Sequence, residues 1–538
     1  MKRMINARTT RILGLAILLA TAFCAAQGQE PAKNPILWAD VPDVAVCKVG
    51  DEFYMSSTTM HMSPGIPIMK SKNLVDWTLV GYARDVIEDS DALALRNGKN
   101  AYGAGDWASS LRYKDGTFYL ATFSGTTGKT YVYTTDNPAG EWQARSFRPM
   151  FHDCSLFLED DGRVFLIHGS SNIRLTELRP DFSGVLQGGL DMTIVENAEK
   201  VAGGRRGLPA EGSQFFKRNG KYYLCNITWP AGGERVETVY RADKLEGPYE
   251  GRLVFKDRGI AQGTIFEGVD GKWFAMLFQD SGAVGRIPYL IPVEWVDDWP
   301  VLGVDGKAPE RLDITLEGKP LGNIVESCEF DAAELPLAFQ WNHNPVAQDW
   351  SLTERSGWLK LVSSRVDSKL VQTRNIRTQR TFGPTSSCQT LVDPAGLKEG
   401  DVAGLTLLQR KYGYVAVTKR DGKLYLAQGE AKTAPNGRGE NDANQENELV
   451  ALKDAAPIYL RADCDFTNRR DRARFYWSVD GTQWRPIGGE LRMVYTLPHF
   501  MGYRFGLFLQ STQESGGEAD FDFFRVDNNT ILNKDFVR

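Results

Sequence analysis

Five times between residues 43 and 276 a hydrophobic run, a tight glycine turn and an aromatic-rich run follow one another. The units read DVAVCKVGDEFYM, WASSLRYKDGTFYL, DCSLFLEDDGRVFLI, EGSQFFKRNGKYYL and QGTIFEGVDGKWFAM, with turn glycines Gly50, Gly116, Gly162, Gly220 and Gly271. Each opens on a conspicuous residue: Asp43, Trp107, Asp153, Glu211 and Gln262. In the last four units this leader lies nine positions before its glycine; in the first it lies seven before, as a shorter turn would give. A β-hairpin repeated every 40 to 60 residues or so signals one blade per repeat of a ring closed around an axis. The chain therefore predicts a five-bladed β-propeller. The first strand of a blade runs along the axis, so the five leaders are expected to converge on one central funnel.

Three carboxylates, one indole and one amide would meet there. A single Asp at a strand edge is more often a turn or cap residue than a catalyst. A structural acid has no reason to recur at one axial position on three of five blades, and like charges crowded together cost stability unless they serve a function. Two Asp and a Glu around one cavity, beside an aromatic platform, are the ingredients of proton transfer at a sugar acetal.

Charge narrows the partners further. With 63 basic against 68 acidic residues and a net charge of −5, the chain has no electrostatic footprint for nucleic acid or an anionic membrane. A neutral ligand fits better, and the 13 tryptophans suit sugar faces as well as cores. The five histidines and the scattered Cys47, Cys154, Cys225, Cys328, Cys388 and Cys464 show no metal-site spacing, so no metal ligands are assigned and the cysteines read as free thiols. At the N-terminus, Lys2, Arg3, Arg8 and Arg11 precede an apolar stretch from Ile12 to Phe23 and then CAAQGQE. This is the tripartite form of a secretory signal, too short for a mature span. Residues 1–28 are read as that signal, with cleavage favoured over lipidation at Cys24, and the mature protein as periplasmic or secreted without a membrane span.

Residues 29–322 are assigned to the propeller. From about Glu326 the hairpin period vanishes, and CQTLVD, AGLTLLQ, YVAVTKRDGKLYLAQ, APIYLRADC, RARFYWSVDG and YRFGLFLQ alternate with Gly/Asp turns. Residues 323–538 thus read as a β-sandwich, with Thr433 to Glu448 as an exposed loop. Helical periodicity is weak throughout, so the fold class is all-β.

The units NPILWADVPDVAVCKVG, HDCSLF and PAEGSQFFKRNGKYYL resemble the three acid-bearing segments of glycoside hydrolase family 43. The stretches FQWNHNPVAQDWSLTERSGWLKL and TLPHFMGYRFGLF look like the concanavalin-type sandwich (jelly roll) that follows the propeller in its β-xylosidase and α-L-arabinofuranosidase branches. The resemblance implies Asp43 as the general base that activates water and Glu211 as the general acid. It implies Asp153 as the carboxylate that raises the pKa of Glu211 and orients it. An inverting enzyme needs its acid and base roughly 6.5–9.5 Å apart, a separation that blades one and four can supply. Arg286, in GAVGRIPYL, matches a family arginine that points toward the sugar, although a surface arginine in a loop is an equally simple reading. Trp107 is expected as a stacking wall and Gln262 as a further substrate contact. Gln262 stands where many members have a histidine near a central ion. An amide oxygen can ligate calcium, but no cofactor is required for the reaction. Met60 and His61, in STTMHMSPG, read as ordinary loop residues in preference to pocket rim.

The function expected is that of an inverting exo-glycoside hydrolase releasing terminal non-reducing α-L-arabinofuranosyl residues from hemicellulose oligosaccharides, those of xyloglucan or arabinoxylan. The alternative is a β-D-xylosidase, and a more distant one a non-catalytic carbohydrate-binding propeller. A lectin would repeat its binding residues in every blade, and these blades carry different leaders. The protein is expected as a monomer or a simple homo-oligomer.

Overall fold

A computed structural model describes residues 30–431 and 444–532; the segment read as a secretory signal lies outside them. Residues 45 to 302 form five antiparallel four-stranded sheets, each built from consecutive strands, and these are the five blades. Their first strands are Ala45–Val49, Ser110–Lys114, Ser155–Leu158, Arg205–Arg218 and Ala261–Glu267. Each pairs with the strand that follows it, so all five sequence repeats are the inner hairpins of blades.

The turns explain the glycines. Asp115 and Gly116 have φ of 51° and 83°, and Asn219 and Gly220 have 49° and 76°. Two left-handed residues in a two-residue turn match the twist of the flanking strands. The first blade's turn is not shorter, contrary to the expectation from its spacing. Val49 pairs with Glu52, just as Lys114 pairs with Thr117, so both turns hold two residues. Its glycine comes first in the turn instead of second, and Asp43 stands two residues ahead of its strand where Trp107 stands three ahead.

The central strands of the blades are buried on both faces because each sheet packs on two neighbours, whereas outermost strands such as Gln143–Phe147 are largely exposed. Ala45, Tyr54 and Ile68 of the first blade meet Leu111, Phe118 and Leu120 of the second. Leu156 and Leu166 of the third meet Ala121 and Val132 of the second, and Phe157 and Ile167 meet Phe215 and Leu224 of the fourth. The ring closes where Val46, Met55 and Met69 meet Met276 and Leu290 of the fifth blade. Outside the blades Pro31–Lys33 pairs with Arg311–Thr315. The Asn34 amide seals the same joint, donating to Leu290 O at 2.8 Å and accepting from Leu290 N at 2.9 Å.

A seven-stranded and an eight-stranded antiparallel sheet form the second unit, a concanavalin-like sandwich. Each of the six strand stretches expected there contributes to a strand. The expected loop needs correcting: Asn444–Ala451 is a strand that pairs with Lys423–Ala431 at a sheet edge, and 433–443 lie outside the described residues. Edge strands with polar, exposed side chains look like loops in composition because only one side of them is paired.

The two units share one apolar cluster, which runs from Tyr223 and Ile265 in blades four and five through Ala283 and Tyr503 to Leu405 and Phe475 of the sandwich. Backbone bonds cross the seam as well: Ser63 N to Trp341 O at 3.0 Å, Trp341 N to Ser63 O at 2.6 Å and Tyr503 N to Ala283 O at 2.9 Å. His61 is buried in this seam and is no ordinary loop residue, its ring centroid 4.3 Å from that of His343 and 5.7 Å from that of His499. Met60 packs beside it against Met62 and Met501. No helix among the described residues is long and apolar enough to cross a membrane.

Candidate active site

Three leaders share a backbone feature that spacing alone does not reveal. Asp43, Asp153 and Gln262 have φ of 53°, 46° and 59°. A non-glycine residue in the left-handed region costs about 1–2 kcal/mol, and such strain persists where surrounding contacts over-determine it, commonly at functional sites. In the fourth blade the kink falls one residue later, on Gly212 with φ 69°, and the strand pairing shifts register between Leu208, Glu211 and Gln214. A Cβ on Gly212 would lie 2.7 Å from Gln262 Cδ. Gly212→Ala is therefore expected to lose about 1–2 kcal/mol and to displace Glu211, lowering turnover at least tenfold or so; thermal melts and initial rates check it.

Asp43 is buried and paired. Its Oδ2 accepts from Arg286 Nη1 at 3.0 Å. Arg286 is only 3% exposed, which rules out the reading as a surface loop residue. Its backbone N–H donates to Asp40 Oδ1 at 2.8 Å, and Asp40 Oδ2 accepts from Gly502 N at 2.9 Å. Asp40 thus ties the approach to blade one, blade five and the sandwich together at one point. The guanidinium carbon lies 4.6 Å from the Phe500 ring centroid. Burial lifts the Asp43 carboxyl above its ordinary pKa, Arg286 opposes the rise, and Asp40 and Glu211 add to it.

Glu211 reaches the same funnel from blade four. Its Oε2 is 3.1 Å from His152 Nε2 and accepts from Ser170 Oγ at 3.3 Å, and its backbone oxygen accepts from Asn226 Nδ2 at 3.1 Å. Asp153 is buried beside it, with donor atoms of His152, Asp153 and Glu211 all within 4.8 Å of one another. Asp153 is also tied to Glu211 through the chain: its Oδ2 accepts the N–H of Gly212, the residue next to Glu211, at 2.9 Å. Burial raises the Asp153 pKa to about 7; His152 opposes that rise and Glu211 and Asp43 add to it. Burial disfavours the charged form of His152, but Asp153 and Glu211 outweigh it and hold the imidazole above its usual pKa.

Trp107 forms the aromatic wall, its ring centroid 5.5 Å from Phe500 and 6.1 Å from His152. Gln262 lies against Gly212, with its backbone N–H on Glu237 Oε2 at 2.7 Å. All six residues singled out in the sequence, Asp43, Trp107, Asp153, Glu211, Gln262 and Arg286, therefore belong to one connected cluster of contacts. Two neighbours escaped sequence reasoning. His152 sits directly before Asp153 in HDCSLF, and that adjacency to an acid-bearing repeat is the signal that marks it. Phe500 comes from a sandwich loop, where no repeat registers it.

Among the described residues, His152, Asp153 and Glu211 are the only His, Cys, Asp or Glu group spaced closely enough to hold a metal ion. Glu211 Oε2 in that group lies 3.1 Å from His152 Nε2, and Asp153 Oδ2 accepts from Gly212 N.

The sequence profile of glycosyl hydrolases family 43 matches residues 32–300, and that of the beta xylosidase C-terminal concanavalin A-like domain matches residues 327–527. A putative beta-xylosidase of Xylanibacter ruminicola is 31% identical over 87% of this chain and 84% of its own length. A non-reducing end alpha-L-arabinofuranosidase of Bacteroides ovatus is 30% identical over 73% of this chain and 77% of its own. A solved bifunctional GH43-CE protein of Bacteroides eggerthii is 51% identical with a TM-score of 0.90, covering 93% of this chain; the chain spans 64% of that protein. A five-bladed ring with acids on blades one, three and four, followed by this sandwich, accords with those matches: the chain belongs to glycosyl hydrolases family 43 and is a glycosidase.

Proposed function

We propose that the protein hydrolyses terminal α-L-arabinofuranosyl units from arabinoxylan-type oligosaccharides with inversion. Asp43 is the base: it takes a proton from the attacking water, and Arg286 holds its carboxylate in place. Glu211 is the acid that protonates the departing oxygen. Asp153 orients it by gripping Gly212 N and is its like-charged neighbour. The observation that carries this reading is the meeting of Asp43, Asp153 and Glu211 from three blades at one funnel walled by Trp107 and Phe500. An aromatic wall and a buried arginine suit one small sugar ring, hence exo action. No metal or cofactor enters the scheme. The signal read in residues 1–28 points to a periplasmic or secreted enzyme.

A second reading, β-D-xylosidase, is favoured by the name of the Xylanibacter relative, as the first is by that of the Bacteroides ovatus one. Paired chromogenic α-L-arabinofuranoside and β-D-xyloside substrates separate them, with NMR reading the anomer first released. The expected outcome is a kcat/KM at least tenfold or so higher for the arabinofuranoside and β-arabinose as first product. A preference for the xyloside selects the second reading. Release of α-arabinose first from the arabinofuranoside, or of β-xylose first from the xyloside, contradicts the inverting scheme, because inversion follows from water attacking opposite the leaving group.

A further inference from the structure

In each inverting turnover Glu211 gives its proton to the departing oxygen as that C–O bond breaks, while Asp43 takes one from water as the new C–O bond forms. The enzyme is left with Asp43 protonated and Glu211 ionised, so one proton must leave the base and one must return to the acid before the next turnover. The assignment of Glu211 as acid says nothing of where that proton comes from.

The surroundings of Glu211 name a source. Its Oε2 faces His152 Nε2 at 3.1 Å, and the same nitrogen lies 3.7 Å from Asp153 Oδ2. The His152 side chain is 30% exposed, against 19% for Glu211 and 6% for Asp153, so the imidazole is the member of the cluster most open to water. Its backbone oxygen accepts from Gly169 N at 2.9 Å, and its ring packs on Phe123 and Trp107 at 5.2 and 6.1 Å between centroids. The charged groups facing it are Asp153 and Glu211, and His168 lies behind it on the second strand of the same blade. A ring kept only for packing has no need of a nitrogen between two carboxylates.

We propose that His152 is a positioning residue that reloads Glu211 with its proton after each turnover. The Nε2–H bond of the imidazolium breaks and an O–H bond forms on Glu211 Oε2; the neutral ring then takes a proton from water or a buffer acid. The terminal torsion of a glutamate is soft and roughly two-fold, so the carboxyl can turn its new proton toward the sugar. Imidazole is suited to this because it takes up and gives back a proton readily, and Asp153 and Glu211, which raise its pKa, favour the return of a proton to the ring. The proposal rests on the reading of Glu211 as general acid.

The test separates kcat from kcat/KM, because the returning proton moves only after product has formed. In His152→Gln, which keeps a hydrogen-bond donor but cannot relay a proton, kcat on an unactivated arabino-oligosaccharide is expected to fall about 10- to 100-fold, toward the low end of what acid–base groups contribute. Its kcat/KM should change less than about threefold, and a dinitrophenyl glycoside, which needs no acid, should turn over as in the parent. In His152→Ala, added imidazole should restore kcat in a saturable way. Unchanged kcat in both variants overturns the proposal, as does an equal fall of kcat and kcat/KM on both substrates without imidazole rescue. Glu211→Gln runs in parallel: if it still hydrolyses the oligosaccharide, the acid reading itself fails; if it does not, and the His152 variants behave as the parent, only the relay is wrong.

Discussion

Asp43→Asn should leave a folded protein whose turnover falls by about 10³-fold or more on every substrate, good leaving group or poor. General acid–base groups contribute about 10²–10⁴-fold, and an amide cannot take the proton of the attacking water. Because water attacks in every case, leaving-group quality offers no escape. The exchange is nearly isosteric and keeps an acceptor for Arg286 Nη1, but it strips the negative charge from a buried pair. The loss of stability should stay below the 3–5 kcal/mol or so of a buried pair broken outright. Initial rates together with a thermal melt check both halves of this expectation. Turnover within tenfold or so of the parent would remove Asp43 from the mechanism.

Glu211→Gln should show the opposite dependence on the leaving group. An unactivated oligosaccharide, whose departing oxygen must be protonated, is expected to lose about 10³-fold in kcat, within the range general acids supply. A dinitrophenyl glycoside, whose phenolate departs unaided, should keep most of its rate. KM should move little, since Gln preserves the shape and can still meet Ser170 Oγ. Equal losses on both substrates would show that Glu211 serves binding or structure instead of proton donation.

How far the chain could be read without coordinates follows from what repeats. The blades were legible because a hairpin with an Asp-Gly or Asn-Gly turn is specified locally, and recurs. The convergence of Asp43, Asp153 and Glu211 was legible because register within a repeat is also position around an axis. Even Arg286 could be singled out, but its partner could not: the bond to Asp43 spans 243 positions and depends on ring closure at Asn34 and Leu290. The left-handed backbone at Asp43, Asp153 and Gln262 was hidden because Asp and Gln, unlike Gly, do not advertise it. His152 is present in the sequence but unmarked, since a lone histidine next to an acid has no spacing that points to its contact with Glu211. The Asn444–Ala451 edge strand reads as loop from sequence because its composition is polar and its pairing one-sided.

Phe500 carries a consequence for how such a protein can change. The loop that bears it belongs to the sandwich, is anchored through Gly502 to Asp40, and lays an aromatic face on Arg286 and beside Trp107. An aromatic contact beside the proposed reacting groups is thus furnished by a unit that contributes none of them. Because the same loop touches Arg286 and Asp40, which flank Asp43, an exchange there is felt by the proposed base as well, so the two units are bound to drift together over evolutionary time.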